Sequence, residues 1–260
     1  MKYLYAIRQY LHYWLKAVNE HAIHSPFLFE FYTKVIKADS RLDFDEIEAL
    51  RKSLKQSQET IAFKELGAGS KKDNAQHRKV STIASSVATP ARFSRLIYRI
   101  IQHFDYHVCL ELGTSLGLNT LYMQCAQPKA QVYTFEGSPG VAELARQQFD
   151  QLDQHQIQLV EGNIDHTLKD TLAKIPKVDF AYVDANHRYA PTLDYFEQLL
   201  PKMAEDGMII LDDIHWSPGM NQAWKEICQR PEVTLSLDLF EGGILFFKPG
   251  LKKAHYILSF

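Results

Sequence analysis

From residue 107 onward, short apolar runs alternate with stretches of helical spacing, and this alternation restricts the fold more than any other feature. The runs are HVCLEL, QVYTFE, IQLV, VDFAYVD and MIILDD, and a helix-like stretch follows each. Such alternation is typical of repeated βαβ units, in which helices cover a parallel sheet. We therefore predict an α/β protein with a parallel sheet.

The last two apolar runs are joined in another way. VTLSLDLF and GILFFK lie on either side of the tripeptide Glu241-Gly242-Gly243. A short glycine-containing link between two strand-like runs indicates a tight hairpin. These runs should therefore be antiparallel neighbours at the end of the sheet.

The first hundred residues are predicted to be helical. An apolar stripe recurs at steps of three and four and consists of Leu4, Ile7, Leu11, Trp14 and Val18. Such a stripe is expected to be buried, either on its own domain or on a second subunit, so a homodimer is possible. Helix starts are expected at Ser25-Pro26 and Thr89-Pro90, with a hydroxyl cap followed by proline.

The change from helical spacing to alternating strand-like and helical runs divides the chain into two regions. Residues 1–103 form a helical N-terminal cap or oligomerisation region with a polar loop around 64–80, and residues 104–260 form the α/β domain. The first region has seven more basic than acidic residues, whereas the second has nine more acidic than basic residues. The acidic region favours a cationic cofactor or a metal.

Composition excludes some classes of function. The chain has 260 residues, a net charge of −2 and three cysteines, which is too few for a disulfide framework. The basic cluster at Lys71, Lys72, Arg78 and Lys79 lacks interleaved aromatics, so nucleic acid is not expected. The N-terminus has no uninterrupted apolar run, so we expect a cytoplasmic protein with no membrane partner.

Two glycine-containing segments are candidates for a ligand loop. ELGAGSKK begins at Glu65 and leads into a polar stretch, whereas ELGTSLGLNT begins at Glu111, follows a buried strand and runs directly into a helix. A strand, a glycine turn and a helix N-terminus let a backbone approach a ligand closely. We therefore assign the ligand to the loop at Gly113 and treat the Gly67 segment as a lid or a surface turn.

Polar residues after the next two strands indicate what this loop binds. Glu136 ends the second strand and can accept hydrogen bonds from two ribose hydroxyls, and Asn163 after the third strand can meet an adenine edge. The loop spacing is G-x-x-x-G, not the G-x-G-x-x-G of nicotinamide sites. The pattern therefore predicts an adenosine-containing ligand without a pyrophosphate.

These motifs resemble those of class I S-adenosylmethionine-dependent methyltransferases. The likeness covers residues 107–248 and is strongest to metal-dependent O-methyltransferases of the catechol and macrolide-sugar kinds. It implies a Rossmann-like seven-stranded sheet with an antiparallel C-terminal hairpin. It also implies that Glu111 and Gly113 line the methionine end of S-adenosylmethionine and that Glu136 holds its ribose. The full expected cofactor set is Glu111, Gly113, Thr114, Gly117, Glu136, Gly137, Ser138, Gly162, Asn163 and Asp184.

Three carboxylates follow two later strands. Asp184 ends VDFAYVD, and Asp212 and Asp213 end MIILDD. Carboxyl ends of parallel strands meet at one edge of a sheet, and carboxylates that converge there need a neutralising partner. Oxygen ligands favour Mg²⁺ or another hard divalent cation. The alternative is that one or more of these aspartates only cap helices or bind loop backbone.

A histidine near these acids is the candidate general base. His187 lies three residues after Asp184, in a D-x-x-H pattern similar to that of the macrolide-sugar enzymes. Catechol-type enzymes have lysine there, so a catechol substrate is in doubt. His215 is the second candidate base, and Trp216 is expected to wall the substrate pocket. Histidine can take a proton from a hydroxyl at neutral pH.

The resulting hypothesis is an O-methyltransferase that acts on a hydroxylated small molecule. Two other hypotheses remain. The chain could be an S-adenosylmethionine-binding regulator or scaffold without turnover, or a metal-independent N-methyltransferase. The set of Asp184, Asp212, Asp213 and His187 argues against a mere binder. Insensitivity to chelators would favour the second alternative.

Overall fold

A computed structural model describes residues 2–38, 44–64, 77–86 and 88–260. By packing, the chain divides into two compact units. The middle unit is Ser40–Lys174, and the terminal unit joins Met1–Asp39 to Ile175–Phe260. This division is based on contacts in the structure, whereas the predicted boundary at residue 103 is based on the periodicity of apolar residues. The two boundaries therefore do not coincide.

The middle unit contains three parallel strands and their crossover helices. Its elements are α3 (Asp45–Gln56), β1 (Thr60–Ala62), β2 (His77–Lys79), α4 (Val80–Ser86), α5 (Ala91–Phe104), β3 (Val108–Leu112), α6 (Leu118–Ala126), β4 (Gln131–Glu136), α7 (Pro139–Gln151), β5 (Ile157–Glu161) and α8 (Ile164–Lys174). β4 pairs in parallel with both β3 and β5. The helices α6 and α7 are the crossovers between these strands, as the alternation predicts.

The terminal unit contains a mixed set of five strands. Its elements are α1 (Lys2–Lys16), a 3₁₀ turn (Glu20–Ala22), α2 (Pro26–Phe31) continued by a π-helical turn (Tyr32–Ile36), β6 (Val178–Val183), α9 (Tyr189–Leu199), a 3₁₀ turn (Leu200–Lys202), β7 (Met203–Asp212), α10 (Pro218–Gln229), β8 (Leu235–Asp238), β9 (Gly242–Phe246) and β10 (Ala254–Ile257). β6 and β7 are parallel, and β9 is antiparallel to both β7 and β8. The predicted C-terminal hairpin is therefore confirmed.

The strands β3 to β10 belong to an eight-stranded, mostly parallel sheet, so the α/β fold class is confirmed. The expected number of seven is one too low, because β10 adds a parallel strand beside β8. A second correction concerns the N-terminal region, where β1 and β2 form a small antiparallel pair within a stretch predicted as helix and loop.

Proline marks two helix starts, with different outcomes. Ser25 caps α2, because its side chain accepts a hydrogen bond from the Leu28 amide and Pro26 is the first helical residue. At the second site the helix begins one residue later than predicted, at Ala91, and Pro90 occupies the capping position. Among the described residues, no helix has the length and hydropathy needed to cross a bilayer.

Candidate functional site

The loop after β3 has a backbone that few residues other than glycine can adopt. Gly113 has φ of 110°, Ser115 of 49° and Gly117 of 76°. A Cβ atom on Gly117 would lie 2.6 Å from the Phe149 ring. Both the conformation and the space therefore require glycine at position 117, and α6 begins immediately after it.

Glu111, on the strand that precedes this loop, stabilises the loop through buried hydrogen bonds. The side chain is fully buried, and its carboxylate accepts hydrogen bonds from Asn119 Nδ2 at 2.8 Å, from Thr134 Oγ1 at 2.7 Å and from the Thr120 hydroxyl. A buried carboxylate is tolerated only when donors of this kind replace water. Glu111 therefore braces the start of α6 against β4.

A hydroxyl relay extends this brace to the loop itself. The Thr114 and Thr134 hydroxyls are 2.6 Å apart, and since Thr134 donates to Glu111, it accepts from Thr114. The sequence reasoning missed Asn119, Thr120 and Thr134. A polar residue inside the apolar run VYTFE was the available signal for Thr134.

Glu136 lies at the end of β4 and joins two backbone segments. Its carboxylate accepts hydrogen bonds from the Ser115 amide at 2.9 Å and from the Ser138 amide at 2.8 Å. These bonds fix its orientation, and a carboxylate can accept up to about four hydrogen bonds. Gly137 lies between Glu136 and Ser138 in the sequence. The contact with the Ser115 amide joins this acid to the glycine loop.

The next strand end adds two of the expected residues to the same unit. Gly162 has φ of 131°, and its amide donates to the Glu136 carbonyl at 2.9 Å. Asn163 directly precedes α8, and its side-chain oxygen accepts from the Asp165 amide at 3.1 Å. Ser138 also accepts from the Lys64 amide at 3.1 Å, which brings the β1 segment to this end of β4. The Gly67 segment lies outside the described residues.

The terminal unit carries the second group of expected residues. Asp184 directly follows β6, and its Oδ1 lies 3.3 Å from His187 Nε2. Burial alone would lower the pKa of His187, but hydrogen bonding and charge from Asp184, the charge of Asp213 and a backbone contact with Asp212 raise the pKa above its ordinary value. His187 Nδ1 is buried and has no hydrogen-bond partner among the described residues.

The turn that presents His187 is strained. Asn186 and His187 have φ of 68° and 35°, a conformation that costs non-glycine residues about 1–3 kcal/mol each. The side chain of Asn186 holds the turn, because its Nδ2 donates to Tyr195 Oη at 2.8 Å and its Oδ1 accepts from Arg188 Nε at 2.9 Å. Asn186 was missed from sequence as a positioning residue, although asparagine is among the residues that tolerate positive φ.

Asp212 is the last residue of β7 and lies among like charges. Desolvation, followed by the charges of Asp184 and Asp213, raises the pKa of Asp212 well above its ordinary value, and Asp212 shares a hydrogen bond with Asp184. Asp213 follows in a left-handed conformation, and its amide donates to the Glu241 carbonyl at 2.8 Å. Across the described ranges, no group of three or more His, Cys, Asp or Glu has the spacing of a metal site.

His215, the second candidate base, has both ring nitrogens occupied. Nδ1 lies 3.0 Å from the Asn221 amide nitrogen, so it accepts, and Nε2 then carries the proton and donates to Asp238 Oδ2 at 2.9 Å. The ring also stacks on Phe240 with a centroid distance of 5.3 Å. His215 therefore braces the loop after β7, and the geometry favours His187 as the proton acceptor. Trp216 is 46% exposed.

Comparison with known proteins gives a consistent result. Residues 110–214 match a family described as a methyltransferase domain. No match is found among curated proteins. Solved structures share the fold at low sequence identity. The SAH-bound methyltransferase PaMTH1 of Podospora anserina has a TM-score of 0.63 and 16% identity, with 87% of this chain and 97% of that chain covered.

Two further structures carry the description O-methyltransferase. TomG of Streptomyces achromogenes, in complex with SAM, has a TM-score of 0.59 and 15% identity over 83% of this chain and 96% of that chain. The O-methyltransferase of Bacillus cereus, in complex with SAH, has a TM-score of 0.58 and 16% identity, with coverage of 82% and 95%. At such identity the likeness establishes the fold. Residues 110–214 therefore match a methyltransferase domain, in a chain that has the fold of these methyltransferase structures.

Proposed function

We propose that the protein is an S-adenosylmethionine-dependent O-methyltransferase that acts on a hydroxyl group of a small molecule. The observation that carries the proposal is the His187–Asp184 pair at the end of β6, with Asp212 at the end of β7. His187 has a raised pKa and lies beside carboxylates, so it can take a proton from the hydroxyl group that accepts the methyl group. The O-methyltransferase descriptions of two similar structures support this choice.

The residues around the β3 loop fit the proposed cofactor. S-adenosylmethionine has a ribose with two hydroxyls, and Glu136 offers a carboxylate whose orientation two backbone amides fix. Gly113 and Gly117 carry no side chains, so a ligand can approach the loop backbone closely at these positions. In this proposal Asn163 meets the adenine, and Glu111 acts through the loop that it braces.

The transfer needs the chain to do two things. The methyl group moves from the sulfonium sulfur to the acceptor oxygen, so the S–C bond breaks as the O–C bond forms. His187 takes the hydroxyl proton at Nδ1, because Nε2 faces Asp184 Oδ1 and carries the other proton, and Asp184 keeps the ring oriented and stabilises the imidazolium that results. Asn186 holds His187 in the strained turn that directs it.

A divalent cation is the second part of the proposal. Asp184, Asp212 and Asp213 would hold it, because a set of oxygen donors that raises the pKa of one of its own members favours a hard cation. When bound, the ion would lower the pKa of the acceptor hydroxyl. As the side chains are placed, Asp212 instead shares a hydrogen bond with Asp184, so cation binding must displace that contact.

The same contact supports a metal-independent version of the transfer. Asp184 already faces His187 at 3.3 Å and bonds with Asp212, so the histidine could work as an unaided base. This version keeps the cofactor and the role of His187 but leaves Asp212 and Asp213 as residues that shape the loop. Sensitivity of turnover to a chelator separates the two versions.

Cofactor binding is tested at Glu136 with a matched control. Loss of a charged acceptor for ribose hydroxyls costs about 1.5–3 kcal/mol per hydrogen bond, so Glu136→Ala should weaken S-adenosylmethionine binding at least tenfold in calorimetry. Glu161 is the register partner of Glu136 on β5, is exposed and pairs with Arg146. Glu161→Ala should therefore bind like the unmodified protein.

The opposite result has a clear meaning. Equal affinities for the two variants, or tighter binding of NAD than of S-adenosylmethionine, would remove Glu136 from the ribose site and with it the proposed cofactor.

A further inference from the structure

Four members of the predicted apolar stripe lie on α1 and are exposed to solvent, namely Leu4, Ile7, Leu11 and Trp14, whereas Val18 follows the helix and is half-buried. The sequence led us to expect this stripe to be buried and to expect no membrane partner. Six large apolar side chains of α1 have exposed fractions between 51% and 74%, namely Leu4, Ile7, Tyr10, Leu11, Trp14 and Leu15. Six such side chains amount to several hundred Å², comparable with the about 300–600 Å² of the largest patch on a typical monomer.

These side chains form one continuous face. Successive helical residues are about 100° apart, so the six positions fall within an arc of about 140°. Tyr13 lies outside this arc and attaches the helix to the terminal unit. Its hydroxyl donates to the Leu258 carbonyl at 2.7 Å, and its ring lies 5.3 Å from Phe240. The apolar face is therefore presented by a helix that is already folded and anchored.

The charges of the same segment are all positive. Lys2, Arg8 and Lys16 lie on α1, and the first acidic residue of the chain is Glu20. Among the described residues, Arg8 and Lys16 form no ion pair. A second copy of α1 would bring like charges together, whereas an anionic surface would neutralise them.

We propose that the α1 face (Leu4, Ile7, Tyr10, Leu11, Trp14 and Leu15) docks onto the surface of an anionic lipid membrane. Amphipathic helices of this kind lie in the plane of the interface, with the apolar face at the boundary of headgroups and acyl chains and the basic residues among the headgroups. Trp14 and Tyr10 suit that depth, because their rings are apolar and carry a polar atom. Binding costs little ordering, since α1 is folded beforehand.

Vesicle flotation with the full chain tests the proposal. The protein should float with phosphatidylglycerol-containing vesicles and much less with pure phosphatidylcholine. Leu11→Glu with Leu15→Glu should weaken binding at least tenfold. Arg8→Gln and Lys16→Gln should each weaken it about fivefold, the value of one basic residue near an anionic surface, and salt should weaken it further. Phe29→Glu is the control, because Phe29 is 45% exposed but lies on α2.

Trp14 gives a second readout in the same samples. Its emission should shift to the blue on addition of anionic vesicles, and Trp14→Phe should abolish that shift while binding is retained. If the double glutamate variant is misfolded by circular dichroism, the Arg8 and Lys16 variants decide the matter.

Three results would overturn the proposal. These are no flotation with anionic vesicles, equal flotation of the α1 and Phe29 variants, and a dimer in sedimentation that the glutamate variant dissociates while flotation is absent. The last result would assign the face to a second copy of the chain.

Discussion

Two carboxylates of this chain have opposite surroundings. Glu111 is buried among an amide and two hydroxyls that donate to it, whereas Asp212 lies among like charges that raise its pKa. The first arrangement stabilises a charged side chain, and the second destabilises it. A residue kept in an unfavourable charge environment is a functional candidate, because such strain persists only where the site needs it.

Neutralising Asp212 should stabilise the protein in the absence of divalent cations. Because the folded-state pKa of Asp212 is raised, its ionisation costs stability as pH rises above the unfolded value of about 3.9. Asp212→Asn should therefore raise Tm at pH 7 by a few degrees, with the gain shrinking towards pH 4. Asp150→Asn, at an exposed position on α7, should leave Tm unchanged at both pH values. A lower Tm for Asp212→Asn at pH 7 would contradict the charge assignment.

Replacing His187 should separate chemistry from binding. His187→Gln removes the proton acceptor, so turnover should fall by about 10²–10⁴ while calorimetry shows unchanged affinity for S-adenosylmethionine. The raised pKa of His187 means that wild-type turnover should increase with pH through a midpoint above the ordinary histidine value of about 6.5. His103→Gln, at an exposed position on α5, is the control. Full turnover in the His187 variant would transfer the base role elsewhere.

At the scale of elements, strand ends and the turns after them position every proposed group. β3 and β4 end at the glycine loop and Glu136, and β6 and β7 end at the His187 turn and Asp212. Positive φ values recur in these turns, at Gly113, Gly117, His187 and Asp213. Rigid strands with strained turns at their ends give the side chains fixed directions, which catalysis requires.

Two glycines with the same backbone region allow strain and packing to be separated. Gly117 and Gly250 have φ of 76° and 81°, but a Cβ atom would clash with Phe149 only at Gly117, since nothing lies within 4 Å at Gly250. Gly250→Ala should cost about 1–2 kcal/mol for the left-handed conformation alone. Gly117→Ala should cost a further 1–3 kcal/mol or so from overpacking and should weaken S-adenosylmethionine binding. Denaturant unfolding and calorimetry measure both, and equal losses in the two variants would contradict the packing argument.

At the scale of the whole molecule, the long-range order of the chain was predictable where segments are long and periodic. The runs VCLEL and VDFAYV form β3 and β6, because continuous apolar strands followed by helices have few alternative arrangements. β1, β2 and β10 were missed because strands of three or four residues carry too little periodicity and depend on distant partners. The contacts of Glu111 and His215 could not be read from sequence, because their hydrogen-bond partners lie on other elements of the fold.

The proposed reaction transfers a methyl group from S-adenosylmethionine to an oxygen atom. The most direct measurement supplies the protein with methyl-labelled S-adenosylmethionine and a panel of hydroxylated and aminated small molecules, with and without EDTA, and locates the label by mass spectrometry and NMR. We expect label on a hydroxyl oxygen with formation of S-adenosylhomocysteine, loss of this turnover with EDTA, and its recovery with excess Mg²⁺. Label on nitrogen, or no turnover by a protein that binds the cofactor, would contradict the proposed reaction. O-methylation unaffected by EDTA would keep the reaction and remove the cation.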